Sequence, residues 1–187
     1  MDTTLLIVLV ALVAVLALAS AFWLIGSRKR SQELQERFGP EYDKTLEEAG
    51  GRRDAEKVLQ ERSERVEKLR LRELQQEERE RFSQDWRQVQ GDFVDAPGEA
   101  ISKADRLVQE VMNARGYPMT DFDQQAADIS VDHPEVVTNY RAAHDIAQAH
   151  EREGVSTEDL RQAMLHYRAL FADLLGAGEE TLQRRTG

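Results

Sequence analysis

The chain has 187 residues, 32% of them charged, a net charge of −10 and no cysteine. That length suits one domain with attachments, and the lack of cysteine excludes disulfides, thiolate chemistry and cysteine-ligated metals. Asp2 is the sole charge before Arg28, so everything after Gly26 carries −9. An acidic surface of this kind repels phosphate backbones, so no nucleic-acid partner is expected.

The first element is apolar. Leu5 to Ile25 (LLIVLVALVAVLALASAFWLI) is 21 residues with Ser20 as its only clearly polar member. At about 1.5 Å per residue a helix of this length extends roughly 31 Å, close to the ~30 Å of a hydrocarbon core. Fourteen of its residues are Leu, Ile, Val or Phe. At about −0.3 to −0.6 kcal/mol each they favour insertion by roughly 4–8 kcal/mol in sum. Trp23 sits where an interfacial indole belongs, and Arg28, Lys29 and Arg30 follow as a stop-transfer cluster at the membrane interface. A cleaved signal peptide is the rival reading, from Ala19-Ser20-Ala21. The leader Met1–Thr4 has no Lys or Arg and the run is longer than a signal core, so an uncleaved anchor is expected. Residues 1–27 are thus leader and transmembrane helix in contact with the lipid bilayer. The basic cluster places the N-terminus outside and the rest in the cytoplasm of a bacterial inner membrane, in a single pass.

Residues 28–74 read as a charged helical spacer. A helix should run to Arg37 and break at Phe38-Gly39-Pro40, because proline disfavours helix in the residue before it and cannot donate to the preceding turn. EYDKTLEEA makes a short helix stopped by Gly50-Gly51. Residues 52–69 form another, supported by Glu61–Arg65 and Glu64–Lys68 in the favourable i,i+4 order. A heptad frame through Leu59 gives Arg52, Ala55, Leu59, Arg62, Val66, Leu69, Glu73 and Gln76, half of them apolar. This is a weak coiled-coil signal, compatible with an oligomerising stalk or with a helix laid against the next domain.

Residues 75–176 read as a compact bundle of about five helices, so the fold class is all-α: a transmembrane helix, a spacer and a bundle. Phe82, Trp86, Val89 and Phe93 mark one core face, and Ile101, Leu107, Val108, Val111 and Met112 a second. Asp95, Thr120, Asp132 and Ser156 are the expected caps, the last three with an acid three residues on. Leu160, Met164, Tyr167, Phe171 and Leu174 form the final stripe, and residues 177–187 read as a flexible tail.

Three of four histidines fall within SVDHPEVVTNYRAAHDIAQAHE, residues 130–151. On a helix His144 and His150 are about 240° apart, so they cannot share an ion, and neither HExxH nor repeated ExxH occurs. His133, at the helix entrance before Pro134, is read as dressing the cap. The surviving candidate is a pocket between helices at 134–153 and 157–175, lined by Tyr140, His144, His166 and Tyr167 for ligand binding or proton transfer. The alternative is that the tyrosines fill core while the histidines sit at its edge. No dinucleotide, P-loop or nucleophile-elbow motif is present, so no catalytic, cofactor or metal residue is assigned.

RFGPEYD (37–43), the W-x-x-V-Q-x-x-F-V-D run (86–95), ADRLV, RGYP, SVDHPEVV-x-NYRAAH and STEDLR-x-A-x-x-HYRALF occur in order. With these motifs the chain resembles a family of uncharacterised bacterial single-pass membrane-anchored proteins with a cytoplasmic helical domain. The resemblance implies no activity or cofactor. The functional expectation is a membrane-anchored interaction or scaffold protein meeting a protein partner or a second copy of itself. A ligand-binding or catalytic helical module is the alternative.

Overall fold

The computed structural model describes residues 29–176, together with Leu12. The described residues are helical with no strand, so the all-α expectation holds. None of their helices is long and apolar enough to cross a membrane. The expected span Leu5–Ile25 lies outside them but for Leu12, as do Trp23, Arg28 and the tail 177–187.

Helix α1 covers residues 29–38 and carries Lys29 and Arg30 on its exposed side. It stops at Gly39, whose φ of 46° only glycine adopts readily, and α2 (Pro40–Ala49) opens on the proline. Gly50 and Gly51 separate α2 from α3 (Arg52–Val66). The charged segment therefore breaks where its sequence punctuation says. It does not stand away from the bundle, however. Phe38, Tyr42, Leu59 and Val66 bury a small core with Val131, while α2 packs on the later helix Pro134–Glu153 and α3 on the helix Phe122–Asp132. Leu59 and Val66 belong to that core, Ala55 is buried as well, and α3 ends before the heptad frame reaches Glu73.

Five helices follow: α4 (Gln76–Asp95), α5 (Pro97–Arg115), α6 (Phe122–Asp132), α7 (Pro134–Glu153) and α8 (Thr157–Leu174). The periodic stripes are their buried faces. Phe82, Trp86 and Val89 on α4 meet α5 and α8, with Trp86 stacked on Phe171 at 4.6 Å between ring centroids. Helix α5 is central, touching α4, α7 and α8, and its Ala100, Ala104 and Val108 are wholly buried. Gly98 on α5 leaves room for His150, whose ring nitrogen would lie 2.3 Å from an added Cβ.

Three helix starts differ from the cap pattern. Asp95 is the last residue of α4, and Ala96 serves as C-cap of α4 and N-cap of α5 without a side-chain bond. Asp121, one residue after Thr120, caps α6 by accepting from Gln124 N. Asp132 closes α6, and His133 holds the N-cap position of α7. In each case the neighbour with a stronger local partner or the fixed φ of proline moves the boundary by a residue or two. Ser156 with Asp159 forms the expected capping box.

Residues 70–75 run extended and are anchored to the end of α5, where Arg72 N donates to Arg115 O at 2.9 Å. Gly116 makes that approach possible. Its φ is 99°, and an added Cβ would stand 2.7 Å from Arg70 O. Gly116→Ala is expected to destabilise the protein by about 1–3 kcal/mol in urea melts. A change below about 0.5 kcal/mol, the level of a neutral surface substitution, would show that the connector is not held there.

Candidate functional site

The four pocket residues expected between α7 and α8 each have a partner of their own. Tyr140, wholly buried, donates to Gln125 Oε1 at 3.1 Å, and Tyr167 donates to Asp105 Oδ1 at 2.9 Å. Burial, reinforced by the Asp105 carboxylate, pushes both phenols well above their ordinary value, so neither is a base near neutrality. His144 lies flat on Phe122 with 3.6 Å between ring centroids and hydrogen-bonds Gln148. His166 bonds Asn139 Oδ1 through Nδ1 at 2.8 Å. The structure thus gives the two tyrosines core positions and the two histidines separate partners. It brings no shared acid between the histidines, and the polar cleft at the end of α8 is lined by none of the four.

A different place gathers chemistry. A half-open cleft of about 700 Å³ lies where the connector 70–75, the start of α4, the α6–α7 junction and the end of α8 meet. Its walls are polar, with Arg79, Arg87, Arg115, Asp132, His133 and Asp173 among them, and Leu74 and Leu174 at the back. The connector is locked by Glu78, which takes two bonds from the Arg72 guanidinium at 2.7 Å and one from Gln75 N. Those bonds hold the Glu78 carboxyl down at about 2.

His133 is part of the cleft wall. Its Nδ1 contacts Asp173 Oδ2 of α8 in a close hydrogen bond, which fixes the ring and leaves Nε2 as the free nitrogen. That Nε2 is buried without a hydrogen-bond partner, and so is Arg115 Nε. Arg115 Nη1 donates to the carbonyl of Leu174 at 2.9 Å, tying the end of α5 to the end of α8. Ser83 lines the same cleft, yet His133 Nε2 makes no bond to it, so the arrangement lacks the nucleophile–base contact that acyl transfer requires. Tyr117 points its hydroxyl toward Asp132 at 3.4 Å, and burial followed by the Asp132 charge raises its pKa.

The sequence presents His133 as cap dressing and gives no hint of Asp173, which is 40 residues away. Only the pairing of α7 with α8 brings them together. The same holds for a second polar cluster. Glu41 is 1% exposed and is held by Arg62 from α3 and by both terminal nitrogens of Arg141 from α7, at 2.7–2.9 Å. Arg65 reaches Asp128 on α6 at 2.7 Å, in place of the i,i+4 partner Glu61 that local spacing suggests. A buried carboxylate without a cation costs far more than an exposed helix pair returns, so the long-range partner wins.

A scan against protein-family models gave no match for the chain, and neither did searches of curated proteins and of solved structures.

The two kinds of position should separate in urea melts. Tyr140→Phe leaves the buried Gln125 oxygen without its donor and is expected to cost about 1–3 kcal/mol. His166→Gln, which keeps a polar group beside Asn139, should change stability by less than about 0.5 kcal/mol. Equal costs would move His166 from the edge into the core.

Proposed function

We propose that the chain is a single-pass membrane-anchored protein whose helical head is an interaction or scaffold module in the cytoplasm. The apolar run Leu5–Ile25 is the anchor, and the cluster Arg28, Lys29 and Arg30 sets the orientation. The ordered motifs from Arg37 to Phe171 support membership in the bacterial membrane-anchored family that the chain resembles.

One observation carries the reading. The chain is helical from residue 29, four residues after Ile25, and that helix is already part of the head. Ser31 on α1 is buried and bonds Glu56 and Arg52 of α3, while Glu41 of α2 is clamped by Arg62 and Arg141. A tether this short and this firmly joined holds the head close to the bilayer in a limited set of orientations. Confinement of that kind raises its effective concentration toward other membrane components. The occupant is a protein partner or a second copy, since an acidic head disfavours nucleic acid.

Membrane fractionation tests the anchor. The full chain should stay in the membrane fraction through high-salt and alkaline washes. A variant lacking residues 1–27 should be soluble with an unchanged melting temperature. Release of the full chain by alkali would overturn the anchor. A reporter that works only in the periplasm, fused after Gly187, should stay silent, and activity would reverse the orientation.

A further inference from the structure

The cleft carries charges of both signs that do not meet. Glu73, Glu80, Asp132 and Asp173 line it together with Arg79, Arg87 and Arg115. Asp173 is closed off by His133, which leaves three acids and three guanidiniums in balance. Among the described residues none of these arginines pairs with any of these acids, whereas Arg72, outside the lining, is held by Glu78 at 2.7 Å. Separate elements keep the signs apart. Arg79 and Arg87 stand two turns apart on one face of α4, with Ser83 midway between them. Glu73 belongs to the connector, and Asp132 closes α6. The Asp132 carboxylate has a single long hydrogen bond among the described residues, from the Tyr117 hydroxyl at 3.4 Å. Leu74, Leu174 and Leu175 add apolar surface to the same lining.

A plain anion entering this hollow is drawn by the arginines and repelled by the acids, and a plain cation meets the reverse. Only a molecule with both charges, held apart, is attracted by both sets at once. We propose that the cleft binds a zwitterion of the amino-acid class, a short peptide with an apolar side chain. Its carboxylate is seated on Arg79 and Arg87, its ammonium on Asp132 and Glu73, and its side chain on the leucines. Guanidinium presents paired N–H donors that match a carboxylate, and an ammonium offers three donors to nearby carboxylate oxygens. A volume of about 700 Å³ is within the range of small-molecule sites. The site stands on the head alone, so it holds whether or not the chain is anchored.

The test is a nitrogen-15 NMR titration of the full chain in uncharged detergent with glycyl-leucine and two blocked forms of it. N-acetylglycyl-leucine keeps only the carboxylate, and glycyl-leucinamide keeps only the ammonium. Glycyl-leucine should give saturable shifts at the amides of Ser83 and Gly176 in the cleft, with the core residue Ile101 unmoved. Each blocked form should bind about fivefold more weakly or worse, the scale of one exposed charge contact. Arg87→Gln and Asp132→Asn, both at exposed positions, should each weaken glycyl-leucine by a similar factor. Arg106→Gln, on α5 outside the cleft lining, should leave its affinity unchanged. Shifts that rise linearly for glycyl-leucine would overturn the proposal. So would a blocked form that binds as tightly as glycyl-leucine, or an unchanged affinity in either cleft variant.

Discussion

The carboxylate of Glu41 is the point on which the arrangement of this chain depends. It lies 1% exposed on α2 and takes bonds from Arg62 of the next helix, α3, and from Arg141 of the distant α7. Taking a carboxylate out of water costs several kcal/mol, and only close, multiply bonded cations compensate for it. The two arginines can meet Glu41 together only when α2, α3 and α7 take one mutual arrangement. Bidentate geometry at Arg141 narrows that arrangement further. The apolar core beneath, built around Phe38, Tyr42, Leu59, Val66 and Val131, supplies attraction without direction. Arg65 with Asp128 repeats the device one turn along α3, against α6.

The cleft is a consequence of how the remaining pieces are joined. Once α3 lies on α6, the chain must return to the start of α4, and it does so along the end of α5, where Gly116 gives it room. Trp86 on Phe171 holds α4 against α8, and Arg115 holds α5 to the last carbonyl of α8, that of Leu174. Where these elements end, beyond their packed faces, a polar hollow remains between them. His133 enters it because Pro134 starts α7 there, and Asp173 because α8 finishes there.

Much of this fold was legible in the sequence, and the legible part is local. The stripes of α4, α5 and α8 are buried as their 3.6-residue spacing implies, because burying such a face is what makes a helix of that length stable. Pro40, Gly50 and the Ser156–Asp159 box mark boundaries by steric and hydrogen-bonding rules that act within a few residues. Cap residues were less legible, since Asp95 and Asp132 each lie two residues before a proline that fixes the helix start independently. Charged residues were the least legible. Composition presents residues 28–74 as a solvated spacer because Glu41, Arg62 and Arg65 look like any exposed helix charges. What distinguishes them is a partner up to 100 residues away. The cleft has the same property, with His133 and Asp173, 40 residues apart, joined across two helices.

A buried ion cluster, more than apolar contact, fastens the N-terminal helices to the bundle. Hydrogen exchange on the Glu41→Gln variant tests it most directly, amide by amide. Breaking a buried pair costs about 3–5 kcal/mol, so amides around Leu59 in α3 should lose protection by roughly two to four orders of magnitude. Amides around Val108 in α5 should keep theirs. Unchanged protection in α3 would contradict the account and leave the small apolar core as the fastening.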